Sequence, residues 1–164
     1  SRGLGDVYKR QRYSGSEVLV RKLAEMGAEP RVHDPYVDHW WEFEVQDSYP
    51  VLGTNRSKYF RNQEQLKEIK IIKDLDKALR DVDAIVFAVR HSEYLLLNPD
   101  DVVSKIGKPV AVIDCFGILN DDRIHRYFEL GCEVSGLGRG HTHRIKKEVI
   151  ENRKQGKQRI KLVK

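Results

Sequence analysis

Cysteine is scarce: the 164 residues hold two, Cys115 and Cys132, with no CxxC spacing between them. That excludes a disulfide framework and fits a reducing, cytoplasmic setting. No apolar run approaches the roughly 18 residues that cross a bilayer, and the first residues lack the pattern of a secretory signal. Metal-ligand spacing is also missing. His141-x-His143 is the one close histidine pair, with no third ligand placed to complete a site, while His33, His39, His91 and His125 stand isolated. A catalytic thiol needs a neighbouring base or an electropositive niche, and nothing near Cys115 supplies one, so Cys115 reads as structural.

What is present is a globular composition, 40% hydrophobic and 34% charged, of a length suited to one domain with a single core. The net charge of +5 is unevenly placed. Residues 143–164 carry nine Lys or Arg against two Glu, a net of +7, which leaves −2 for the other 142 residues. The body is near neutral, and any affinity for polyanions has to reside in the tail.

The pattern along the chain alternates helix and strand. Ser14 and Glu17 have capping-box spacing and predict a helix with Leu19, Leu23 and Met26 on its inner face, ended by Gly27. Pro30 to His33 reads as a short strand closed by the Asp34-Pro35 turn. Residues 39–65 mix aromatics, charges and turn formers, and predict a partly ordered insertion in which Trp40 and Trp41 form a small core. A short strand at Lys70 to Ile72 and a helix from Asp74 to Arg80, with Leu75 and Leu79 inward, follow. Ala84 to Val89 and Val110 to Ile113 have the unbroken apolar character of buried parallel strands. Helices are expected from Asn98 to Ile106 and from Asn120 to Leu130, the second with Ile124, Tyr127 and Phe128 inward and Gly131 as its cap. Cys132 to Val134 forms a last strand. Ile145 to Asn152 is helical in pattern, and the tail beyond is expected to be loose.

These spacings argue for an α/β, Rossmann-like three-layer domain with a mostly parallel sheet. Ligands of such sheets bind at the carboxyl ends of the strands. Here those ends hold Asp34, Arg90-His91 and Asp114 to Gly117. Residues 1–11 are too poor in apolar side chains for a central strand, so the first strand reads as truncated and the segment as a truncation edge or scar.

Two pieces carry a family resemblance: Arg12-Tyr13-Ser14-Gly15-Ser16 through Ala28 to Pro35, and Val110 to Leu119 with Gly136-Leu137-Gly138-Arg139-Gly140. Together they resemble the C-terminal, nucleotide-sugar-binding domain of the UDP-glucose/GDP-mannose dehydrogenase family, over about residues 12–140 with the 39–65 insertion inside and a basic tail at 141–164. The resemblance implies a parent enzyme of polysaccharide biosynthesis, an NAD-dependent nucleotide-sugar 6-dehydrogenase of the UDP-sugar to UDP-uronate type. This domain would bind the nucleotide sugar and close the cleft. The catalytic cysteine would lie in another region, so no catalytic residue is expected here, and the segment alone is expected to be inactive. NAD would be held mainly by an N-terminal domain. The implied partners are a UDP-sugar, the N-terminal and central domains, and further copies in a homo-oligomer.

The same resemblance assigns residues. Arg12, from the Arg-x-Ser motif, contacts NAD, and a guanidinium beside a helix N-terminus suits a pyrophosphate. Lys9, matching an aromatic-Lys pair through Tyr8-Lys9, neutralises nucleotide-sugar phosphate. Where many members carry Asp-Gly-Arg-x-x-Leu, this chain has Asp114-Cys115-Phe116-Gly117 and no arginine. Phe116 is then a stacking candidate and Gly117 a point of close backbone approach. Arg139 in its glycine loop is a candidate phosphate ligand. Two other readings stand beside this one: a non-redox nucleotide-binding α/β module, and anionic-polymer binding through the basic tail. A loose basic tail is ordinarily only solvated, so nucleic acid is not an expected partner.

Overall fold

The structure, a computed structural model, describes residues 15–40, 64–138 and 140–162. Expectations that fall on the first strand, the Ser14 cap, Trp41 and most of the aromatic insertion lie outside the described residues. The chain divides into two compact units between Ala78 and Leu79.

In the first unit, helix α1 (Gly15–Glu25) leads to strand β1 (Val32–His33), and helix α2 (Glu64–Lys67) leads to strand β2 (Ile71–Ile72). β1 and β2 pair in parallel, Val32 with Ile71 and His33 with Ile72. The buried face of α1 differs from the expected one. Val20 and Ala24 meet Leu66, with Val32, Trp40 and Ile69 packed against them, while Leu19 and Leu23 are only half-buried and Met26 is 72% exposed. The reason is the pair Glu17 and Arg21, which lie on the same face as Val20 and Ala24. Arg21 Nε donates to Glu17 Oε1 at 2.9 Å, and both side chains are buried. Pairing makes burial of both charges tolerable, so a face that reads as polar turns inward. Met26 lies beyond the last helical residue, in the turn that Gly27 closes at φ +88°. Lys73 ties the carboxyl ends of the two strands together, donating to Val37 O (2.7 Å) and Pro35 O (3.3 Å) and pairing with Asp38 (2.8 Å). Asp34 Oδ1 holds its own turn by accepting from the N–H groups of Tyr36 and Val37.

Helix α3 (Leu75–Leu79) spans the division, with Leu79 buried. The second unit holds β3 (Ala84–Phe87), α4 (Ser92–Leu95), α5 (Pro99–Ile106), β4 (Ala111–Asp114), α6 (Asp121–Glu129), β5 (Glu133–Gly136) and α7 (Thr142–Leu162). Its sheet has the order β3-β4-β5, all parallel, with Phe87 opposite Asp114 and Asp114 opposite Gly136. The structure is α/β with parallel strands, Rossmann-like as the spacing predicts, and its strands form two sheets. β4 is central and Val112 is fully buried. β3, predicted to be buried throughout, buries only Phe87 fully, because β4 is its one hydrogen-bonded neighbour among the described residues.

The helix ends follow capping chemistry. Asn98 accepts from Asp100 N at 2.9 Å and Asn120 from Arg123 N at 3.0 Å, each supplying an acceptor to an otherwise orphan donor. Gly107 and Gly131 close α5 and α6 in the left-handed region. Arg126 joins the two helices, reaching both carboxylate oxygens of Asp100 from Nε at 3.1 and 2.9 Å.

The C-terminal tail is the other departure. Helix α7 begins at Thr142 and runs to Leu162 instead of ending near Asn152. Ile145 and Val149 are buried, Lys146 pairs with Glu133, and Arg153 Nη2 donates to the carbonyls of Phe128 and Glu129 at the end of α6. A cation on terminal carbonyls stabilises the end of α6 and docks α7 at the same point.

Tyr127 is fully buried, and its hydroxyl has no hydrogen-bond partner among the described residues. Burial pushes that hydroxyl up to about 12. Tyr127→Phe removes an unpaired buried group at constant shape and should raise stability by about 1 kcal/mol. Ile124→Ala, at a site 1% exposed, should cost about 2–5 kcal/mol. Urea denaturation of the two variants checks both signs, and a destabilised Tyr127→Phe would show that the hydroxyl does have a partner.

Candidate functional site

Parallel strands deliver all their carboxyl ends to one edge, and in the second unit that edge gathers three loops. They follow β3 at Ala88 to His91, β4 at Cys115 to Leu119, and β5 at Leu137 to Gly140.

Asp114 organises this edge. Its side chain is 1% exposed, and its oxygens accept from three backbone N–H groups: Phe116 (3.1 Å) and Ile118 (3.1 Å) on Oδ1, Leu119 (3.0 Å) on Oδ2. Its main-chain carbonyl accepts from Leu137 N at 3.1 Å, and the next residue, Cys115, donates its N–H to Phe87 O at 3.1 Å. Asp114 and Cys115 together thus link all three strand ends. Burial pushes the carboxyl up, but donation from the N–H groups of Leu119, Ile118, Phe116 and Gly117 outweighs it and holds the group below the ordinary value of 3.8.

The loop follows from this anchoring. Gly117 takes φ +65°, a conformation costly for a side chain with Cβ. The reversal buries Ile118 and Leu119, at 4% and 3%, and leaves Phe116 55% exposed. Leu137, on the adjacent loop, is 73% exposed. Two apolar side chains therefore face outward at the edge where ligands of such sheets bind. Cys115, preceding Phe116, is half-buried, and burial followed by the charge of Asp114 pushes its thiol up, the opposite of nucleophile activation. His91 lies beside Tyr94, ring centroids 5.5 Å apart.

The glycine loop connects β5 to the N-terminus of α7, with Gly138 at φ +68°. His141 begins the helix, its carbonyl accepting from Arg144 and Ile145, and its Nε2 lies 3.1 Å from Asp121. α5 and α6 carry paired aspartates in their first turns, Asp100 and Asp101 in one and Asp121 and Asp122 in the other; α7 carries no acid in its own. Its positive end is thus uncompensated from within, which favours an anion there. A shallow depression of about 380 Å³ lies at the N-terminal ends of α5 and α6, lined by Leu96, Asn98, Asn120, Arg123 and Arg126 among others.

Of the predicted site residues, Phe116 and Gly117 stand together on the β4 loop. Lys9, Arg12 and Arg139 lie outside the described residues, and with them the predicted contacts to NAD and phosphate. Sequence reasoning missed Leu137, which stood inside a motif read only for its glycines and arginine. It also missed Arg123, hidden in a helix read for its apolar face. Register would have found Leu137: it follows the residue paired with Asp114.

Compared with known proteins, residues 8–121 match the family model described as the UDP-glucose/GDP-mannose dehydrogenase family, UDP binding domain. The match takes in α1 through β4 and stops at the start of α6. Searches of curated proteins and of solved structures return no match.

Asp114→Asn places an NH2 group where a carboxylate accepts backbone donors, and should cost about 2–3 kcal/mol at neutral pH. The sign with pH follows from the lowered folded value. Stability from the charged carboxyl is complete above 3.8 and is lost as pH falls through the lower folded value. Melting curves from neutral pH downward should show the wild type and the variant converging only below pH 3.8; a constant gap between them across that range would refute the assignment.

Proposed function

Because the chain belongs to the UDP-glucose/GDP-mannose dehydrogenase family, we propose that it is the nucleotide-sugar-binding domain of an NAD-dependent nucleotide-sugar 6-dehydrogenase, of the type that converts a UDP-sugar to a UDP-uronate. The observation that carries this reading is the match of the UDP binding domain over residues 8–121. The anchored edge around Asp114 supports it, since it offers a rigid, partly apolar surface at the place where sheets of this class take nucleotides.

In this reading the nucleotide lies across the carboxyl ends of β4 and β5. Phe116 stacks on the base or sugar, its ring held out by a loop that cannot relax without breaking the Asp114 contacts. Gly117 admits the ligand close to the backbone. Arg139, in the loop before α7, meets the phosphates, and Lys9 is the other phosphate ligand that the family resemblance implies. Arg12 reaches toward the pyrophosphate of NAD, which is held chiefly by a separate N-terminal domain. When bound, NAD supplies the hydride acceptor for oxidation of the sugar C6 alcohol.

The contribution of this domain is positional. Contacts to the nucleotide, remote from C6, set the sugar against the catalytic cysteine and the hydride acceptor of neighbouring domains, so binding energy is used for orientation. No residue here performs the chemistry: Cys115, with its raised thiol, is unsuited to a thiohemiacetal. The two free cysteines support a reducing, cytoplasmic setting, and a homo-oligomeric parent is part of the same proposal.

Isothermal titration of the chain with UDP and GDP tests the reading directly. UDP should bind more tightly than GDP. Phe116→Ala should weaken UDP about 3- to 10-fold through removal of one stacking ring, and Arg139→Ala about 10-fold or more through removal of a charge-assisted hydrogen bond to phosphate. Equal affinity in the wild type and both variants would refute the site, and absence of any UDP binding would refute the function.

A further inference from the structure

Helix α7 sorts its basic residues by direction. Those flanking its packed face are engaged: Arg144 lies 3.8 Å from Glu148, Lys146 pairs with Glu133, and Arg153 caps the carbonyls of Phe128 and Glu129. Away from the buried Ile145 and Val149, the residues His143, Lys147, Ile150 and Lys154 recur at intervals of four, three and four. On a helix of 3.6 residues per turn this spacing makes one stripe. All four are exposed, and Lys147 and Lys154 have no hydrogen bond or ion pair among the described residues. From 143 to 154 the stripe extends about 16 Å at the helical rise per residue.

This surface lies outside what the family accounts for, since the match ends at residue 121. Nor does it belong to a loose tail, because docking at Ile145, Val149 and Arg153 fixes the direction in which its charges point. We propose that the outward stripe of α7 is a binding surface for the phosphate backbone of nucleic acid, without sequence preference. Lysine is a compact, strongly hydrated charge, suited to neutralising phosphates one at a time while displacing their counterions. Two other occupants fit the stripe less well. A bilayer needs a broad apolar face, and here Ile150, 41% exposed, is the sole apolar member among the four. Protein interfaces are built around aromatic and arginine anchors and are poor in lysine. The rest of the chain, with a net charge of −2 over 142 residues, neither attracts nor strongly repels a polyanion.

The test is fluorescence anisotropy of the full chain with labelled duplex DNA and single-stranded RNA, each about 20 nucleotides long, across roughly 50 to 200 mM salt. Binding should fall steeply with salt. Lys147→Gln with Lys154→Gln should lower the slope of log affinity against log salt by about 2, near 0.9 for each phosphate no longer neutralised. Charge reversal, Lys147→Glu with Lys154→Glu, should weaken binding at least about 10-fold at intermediate salt. UDP affinity should be unchanged in both variants, which separates this surface from the nucleotide site. Should charge reversal reduce helicity by circular dichroism, the glutamine pair carries the test. The proposal is overturned if no binding is seen at the lowest salt or if neither pair of substitutions alters it. Preference for phosphatidylserine vesicles over duplex would overturn it in favour of a membrane surface.

Discussion

A buried carboxylate that accepts three backbone N–H groups is the constraint on which the second unit's binding edge rests. Asp114 closes β4 and must turn the chain at once. Without a charged acceptor in that position, the amides of Phe116, Ile118 and Leu119 would be left to compete for partners in an apolar setting, at about 1–3 kcal/mol for each one left unmade. With it, the loop has one shape. Ile118 and Leu119 join the core, Phe116 is held outward, and Leu137 is brought alongside through the Asp114 carbonyl. The chemistry offered to a ligand is therefore set by a residue that the ligand need never touch.

The same anchoring bears on the arginine that the family resemblance leads one to expect after the aspartate, which is absent, with Cys115-Phe116-Gly117 in its place. The aspartate itself remains, and it is the aspartate that shapes the backbone. The support it forms here carries an aromatic ring, Phe116. In the proposed reading, recognition then moves from charge on this loop toward stacking, with cationic contact left to Lys9 and Arg139.

Local signals were legible where one interaction dominates. Asn98 and Asn120 announce helix starts, Gly27 and Gly131 announce ends, and the apolar runs of β3 and β4 announce parallel strands, since each depends on residues within a few positions. The readings that failed depended on partners far along the chain or on mutual burial. Glu17 was read only as a capping partner, and its burial with Arg21 was not foreseen because it requires each to neutralise the other within a packed surface. The length of α7 was hidden because Arg153 gains its role from carbonyls 24 and 25 residues earlier. At the site, Phe116 and Gly117 were visible as residue types, whereas Leu137 became visible only through its register beside Asp114.

The docking of α7 changes what its charge can mean. Nine basic residues on a flexible tail would spread over many directions, and bringing them onto a partner would cost conformational entropy. On a helix the backbone part of that cost is met during folding. Ile145 and Val149 bury, the engaged cations direct their charge to Glu148, Glu133 and the end of α6, and what remains outward includes Lys147 and Lys154, with no hydrogen bond or ion pair among the described residues. A helix needs only one face to dock. That lysine should stand outward at 147 and 154 is not required by the docking of α7, since neither side chain has a hydrogen bond or ion pair among the described residues. The positive charge of the stripe is thus the part of α7 that docking does not explain, and it is the part that a polyanionic partner does.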